Sequence, residues 1–107
     1  MAGKLETALR ATGFAFAHFA WSHAPDGDFG VWREERGNDL LANDRHVERG
    51  TVYSVDLFTR DDSPRPRRAI EAALNGLRCA WRLNSVQYEN DTGYVHFEWY
   101  VGLYGEA

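Results

Sequence analysis

Leu5, Ala8, Leu9 and Thr12 stand at i, i+3, i+4 and i+7, one stripe of a helix. Gly13 followed by Phe14 predicts its end, because glycine enters the left-handed C-cap conformation freely and the next residue supplies a hydrophobic contact. The period then changes to two. Phe14, Phe16 and His18 alternate with Ala15, Ala17 and Phe19, which predicts a strand from Phe14 to Trp21. Ser22 to Gly27, containing Pro25, breaks that pattern, and Phe29 to Arg36 forms a second strand candidate. Gly37 to Gly50 holds too few apolar residues to reach a core and reads as a long hairpin arm or loop. Thr51 to Arg60 alternates again, with Tyr53, Val55 and Leu57 on one side and Val52, Ser54, Asp56 and Phe58 on the other.

Asp61-Asp62-Ser63-Pro64 is a helix start: Ser63 can accept from free N–H groups, Pro64 suits the first helical position, and the aspartates favour the positive end of the dipole. The helix runs to about Asn75 on a stripe of Ile70, Ala73, Leu74 and Leu77, with Gly76 as its stop. Arg65, Arg67 and Arg68 oppose the dipole there, so they pair elsewhere or face water. Arg78 to Glu89 and Tyr94 to Tyr104 flank Asn90-Asp91-Thr92-Gly93, a turn cluster that predicts an antiparallel hairpin. In its second strand Val95, Phe97, Trp99, Val101 and Leu103 share one face, and Tyr94, His96, Glu98 and Tyr100 the other.

The order α-β-β-β-α-β-β, in a single domain over residues 1–107, predicts a two-layer α+β fold. Two short helices cover one face of a five-stranded, largely antiparallel sheet. The other face carries Val52, Phe58, Tyr94, Tyr100 and Tyr104 among polar residues, and a sheet face that aromatic suits contact with another subunit.

Composition narrows the reading. With 107 residues the chain builds one core, and 44% hydrophobic and 14% aromatic content is far from that of a disordered segment. A net charge of −4 argues against a role dominated by phosphate contacts, making nucleic acid an unexpected partner. Cys79 alone allows neither an intrachain disulfide nor a cysteine-based zinc site and suits a reducing cytoplasm. No apolar run has the length of a signal or membrane span, so membrane association is not expected.

Candidate chemistry is sparse. His18, His23, His46 and His96 match no ligand spacing, although His18 and His23 lie near Asp26 and Asp28. Asp26-Gly27-Asp28-Phe29-Gly30 contains a kinase-like triplet without the other kinase motifs and lacks an EF-hand's ligand pattern, so a turn between strands explains it better. Cys79 sits beside Ala80 and Trp81, where burial raises a thiol's pKa and favours packing over catalysis. Ser22, Ser54, Ser63 and Ser85 lie in no nucleophile elbow. Arg60 to Arg68 carries four arginines but mixed signs, and reads as a solvated helix entry before a phosphate grip. No catalytic, cofactor or metal residue is assigned.

Several strings resemble the small tail-completion, or tail-terminator, proteins of the head–tail modules of siphophages and their prophages. Leu9-Arg10-Ala11-Thr12-Gly13-Phe14-Ala15-Phe16 resembles the family's helix ending in Thr-Gly before an aromatic strand. Ala42-Asn43-Asp44 and Val47, preceding Tyr53-Ser54-Val55-Asp56-Leu57-Phe58-Thr59, resemble its Asp/Asn bend and the strand that closes in Leu-Tyr-Thr. An acidic turn, a helix with Ile70, Glu71 and Leu74, and a hairpin over Trp81 to Tyr88 and Tyr94 to Leu103 follow in the family's order. Two features depart: Asp26-Gly27-Asp28-Phe29 replaces a proline-containing strand entry, and Phe58 replaces the usual tyrosine.

The resemblance implies a structural subunit, not an enzyme, that forms a hexameric ring at the head-proximal end of the tail and contacts tail tube and head connector. Assembly in the host cytoplasm and residence in the virion tail follow from it. The expected interface joins arm residues Asn43, Asp44, Arg45, His46 and Val47 to Phe58, Tyr94, Tyr100 and Tyr104 on the sheet. Two other readings remain: a small ligand- or nucleic-acid-binding module using Arg60 to Arg68, and a metal-dependent hydrolase using His18, His23 and Asp28.

Overall fold

A computed structural model describes residues 3–35 and 50–103. Along the chain come α1 (Gly3–Arg10), β1 (Ala15–His18), β2 (Phe29–Glu35), β3 (Thr51–Thr59), α2 (Arg65–Asn75), β4 (Cys79–Tyr88) and β5 (Val95–Leu103). The order is the expected α-β-β-β-α-β-β. The strands form one sheet in the order β1-β2-β3-β5-β4, with three antiparallel pairings and a parallel one between β1 and β2. Residues 37–49 of the arm and Tyr104 lie outside the described residues.

Register sorts the side chains onto two faces. Tyr53, Val55 and Leu57 pair with Val101, Trp99 and Phe97, so the β3 and β5 stripes coincide. Trp32 opposite Val55, and Phe16 opposite Gly30, extend that apolar face to the β1 edge. Leu5 and Leu9 of α1 and Ile70 and Leu74 of α2 join these residues in one buried cluster, which puts both helices on the same side of the sheet. Burying each large side chain of this cluster contributes roughly 1.5–3 kcal/mol. Trp99, fully buried, satisfies its indole by donating to Glu71 Oε2 of α2 at 3.0 Å.

The ends of the elements show where local sequence yields to topology. Gly13 takes the expected positive φ of +92°, and the Thr12 hydroxyl donates back to the Leu9 carbonyl. β1, however, has four residues where Phe14 to Trp21 is predicted. A strand parallel to its sequence neighbour must stop and return to the same end of the sheet, and residues 19–28 make that crossover. Phe19 starts it with φ +78°, a left-handed conformation for a bulky residue, and the residue is 70% exposed. The Asp26 to Gly30 string lies between two strands, as expected, and there it ends a crossover and enters β2.

α2 begins at Arg65, one residue later than predicted, with Pro66 in its first turn. Ser63 Oγ still accepts from the Arg65 N–H at 3.3 Å, and Asp61 Oδ1 accepts from the Ser63 N–H at 2.9 Å. Gly76 ends the helix at φ −77°, so it is not a left-handed cap; its N–H donates to Ala72 and Ala73. Arg65 and Arg67 pair with Asp61 and Glu71, each at 2.9 Å. The β4–β5 hairpin closes as predicted, Gly93 supplying φ +77°. No helix among the described residues is long and apolar enough to cross a membrane.

Candidate functional site

The sheet face turned away from the helices gathers polar and aromatic side chains from four strands. The strand registers arrange it in rows. Arg33, Ser54, Tyr100 and Arg82 stand side by side across β2, β3, β5 and β4. The next row is Val31, Asp56, Glu98 and Ser85, and the one beyond it Phe29, Phe58, His96 and Gln87. A bulge between Leu83 and Ser85 lets Asn84 Nδ2 donate to Glu98 Oε1 at 2.9 Å.

One end of this face is an aromatic cluster. Phe58 stacks between Phe29 and His96, with centroids 4.8 and 4.1 Å away, and Tyr94 meets Phe29 and Phe58 edge-on. Arg60 lies 4.0 Å over the Tyr94 ring and donates to the carbonyls of Thr92 and Asp26. The Tyr94 hydroxyl reaches the Gly27 and Asp26 carbonyls at 3.0 and 3.2 Å. Together Arg60 and Tyr94 tie the crossover to the far hairpin turn. Trp21 adds an indole N–H donated to the Gly30 carbonyl at 2.9 Å.

The centre is polar and mostly sequestered. His96 Nε2 lies 3.0 Å from Asp56 Oδ2, and its Nδ1 is 3.9 Å from Glu89 Oε2. Asp56 Oδ1 and Ser54 Oγ are buried without hydrogen-bond partners. Ser54 is 0% exposed because it is a small side chain between Arg33 and Tyr100; Asp56, between Val31 and Glu98, is 7% exposed. Leaving such groups unpaired costs about 1–3 kcal/mol each. The negative charge registers at Tyr100: Glu98 chiefly, then burial and Glu35, push its phenol above the ordinary tyrosine range. Arg33 is held by Glu35 at 3.2 Å, and Arg82 rests 5.3 Å from the Tyr100 ring centre.

Of the predicted contact residues, Phe58, Tyr94 and Tyr100 do share this face. Tyr94, however, is 7% exposed and spends its hydroxyl within the chain, so it acts as an internal clamp. Phe58 is half-buried between two rings, and Tyr100 stays half-exposed. Asn43, Asp44, Arg45, His46, Val47 and Tyr104 lie outside the described residues. The pattern of residues had put Ser54, Asp56, His96 and Glu98 on this face, but it did not mark them as a group. Their juxtaposition depends on β5 pairing with β3, which no local string encodes.

The other candidates stay apart. His18 stacks on Trp32 at 3.9 Å and binds Glu34 Oε1 at 2.8 Å on the helix side of the sheet, a bond that is the main reason Glu34 falls below the usual glutamate range. His23 and Asp28 lie in the crossover, and among the described residues no three His, Cys, Asp or Glu side chains gather as a metal would require. Cys79 packs against the core, donates to the Leu74 carbonyl at 3.3 Å, and is pushed up by burial. Across protein-family models and curated protein sequences, the comparisons give no match to this chain.

Proposed function

We propose that this chain is a tail-completion subunit of a siphophage or prophage. It assembles into a ring, six-fold in the resembling family, at the head-proximal end of the tail and joins it to the head connector. Such a subunit is made in the bacterial host's cytoplasm and resides in the virion tail. The observation that carries the reading is the two-layer arrangement, with both helices on one side of the sheet and an aromatic and polar face on the other. A face of that composition fits contact with further subunits. The strings that resemble the family also occupy defined places: Leu9 to Phe16 spans the α1–β1 junction, and Tyr53 to Thr59 lies in the central strand β3.

The nucleic-acid reading keeps only Arg68 of its four arginines free of intrachain contacts among the described residues. Arg60 is bound to Thr92, Asp26 and Tyr94, Arg65 to Asp61, and Arg67 to Glu71. Deleting the gene from a phage that carries it tests the proposal. Tails of uncontrolled length, or finished heads that fail to join tails, are the expected phenotype; normal virions would refute it.

A further inference from the structure

We propose that the Ser54, Asp56 and Glu98 patch at the centre of the second sheet face is a guanidinium socket, filled by an arginine of a second copy of this chain. The inference deepens the ring reading and rests on it.

Asp56 and Glu98 are directly opposed across the β3–β5 pairing, which puts their Cβ atoms about 4.5–5.5 Å apart. Two carboxylates facing each other repel unless a cation stands between them. The described donors nearby are otherwise engaged: Arg33 with Glu35, Arg82 over Tyr100, Asn84 with Glu98 Oε1, and His96 with the Oδ2 side of Asp56. Asp56 Oδ1 is left without a donor. Independently of the acids, Ser54 Oγ in the adjoining row is fully buried and also unpartnered. The patch thus offers acceptors from three side chains in neighbouring positions, and two of its oxygens, Asp56 Oδ1 and Ser54 Oγ, have no donor.

A planar guanidinium, with five N–H donors in a fork, matches that set better than a compact ammonium. Arg33 stands beside Ser54 across the β2–β3 pairing, and its side chain, 37% exposed, is long enough to swing aside for an incoming group. The occupant is argued from charge complementarity. Lys4 is the sole lysine among 12 Lys and Arg residues, so arginine is nearly the whole cationic surface of this chain. Among the described residues Arg68 and Arg78 are exposed and form no ion pair, in contrast to Arg65 and Arg67 beside them. A second copy therefore brings guanidinium groups that have no ion pair among the described residues to a face with one unpartnered carboxylate oxygen, Asp56 Oδ1. A socket and a donor at different places on one chain make a head-to-tail contact, the kind that closes into rings.

Sedimentation velocity on the purified chain tests this. Wild type is expected to self-associate, and N-acetyl-L-arginine amide hydrochloride to dissociate it more than sodium chloride at equal ionic strength. Glu98→Gln and Asp56→Asn are each expected to weaken association at least about tenfold, as loss of one partner in a desolvated charge pair does. Arg68→Glu or Arg78→Glu should weaken it likewise, with circular dichroism unchanged. Should Asp56→Asn fail to fold, Glu98→Gln carries the test alone. Association that ignores Glu98→Gln, or a wild type that stays monomeric at every concentration, overturns the socket. Neither result touches the tail-length phenotype, on which the ring reading stands or falls by itself.

Discussion

The Phe16 ring occupies the space where a side chain on Gly30 would begin. The two residues pair across β1 and β2, and a Cβ built on Gly30 would meet three ring carbons well inside van der Waals contact. Glycine is required there by close packing, since Gly30 has no positive φ. This contact seats the short edge strand β1 on the sheet and lets Phe16 reach the core at 3% exposure.

Gly30→Ala is therefore expected to cost about 1–3 kcal/mol, the usual penalty for overpacking. In a chain this size that lowers Tm by roughly 4–8 °C for each kcal/mol. Adding Phe16→Leu should recover part of the loss, because the two changes share one space and are not additive. Thermal unfolding of both single variants and the double variant checks this; a double variant as unstable as the sum of the singles would rule it out.

Arg60 and Tyr94 hold the crossover from residue 19 to 28 against the β4–β5 turn. Tyr94→Phe, which removes the hydroxyl's bonds to the Gly27 and Asp26 carbonyls, should cost about 1 kcal/mol. Arg60→Ala should destabilise further, because it removes the cation over the Tyr94 ring as well as two hydrogen bonds. Hydrogen exchange should rise first in the crossover. Exchange that quickens uniformly over the sheet would show that the pair is no local clamp.

Tyr100 should ionise above the ordinary tyrosine range, chiefly because Glu98 opposes a second negative charge beside it. The folded state then binds the proton more tightly than the unfolded chain. Its contribution to stability is complete below the unfolded tyrosine pKa and is lost as pH rises through the folded one. Glu98→Gln should bring the phenol down. Phenolate absorbance of wild type, Tyr100→Phe and Glu98→Gln isolates this residue; an unmoved titration in Glu98→Gln would contradict the assignment.

Cys79 is expected to react slowly with a thiol reagent in the native protein, since burial raises its pKa and its thiol donates to the Leu74 carbonyl. Denaturant should accelerate the reaction to the rate of a free thiol. Rapid native reaction near neutral pH would place the sulfur in a different environment.

Much of this architecture was legible along the chain. The stripes of α1 and α2, the alternation in β3 and β5, and the turn at Asn90 to Gly93 are local patterns, and each became the element it suggested. The β1 end was not legible. Its alternation runs on to Trp21, yet the strand stops at His18 because β1 pairs parallel to β2 and the chain must cross back. Likewise Tyr94 has the pattern of a face residue, but the carbonyls that bury it come from a loop more than sixty residues away in sequence.

By itself the sequence determined which residues face the core, because helical and strand periods are written in neighbouring positions and apolar side chains leave water wherever those periods allow. It also limited the chemistry, through a single cysteine and histidines without ligand spacing. Only the tertiary structure decided that β5 enters between β3 and β4, setting Asp56 against Glu98 and His96 one row along. Strand order and register arise from packing the entire sheet beneath two helices, a sum over distant contacts that no single stretch of chain contains.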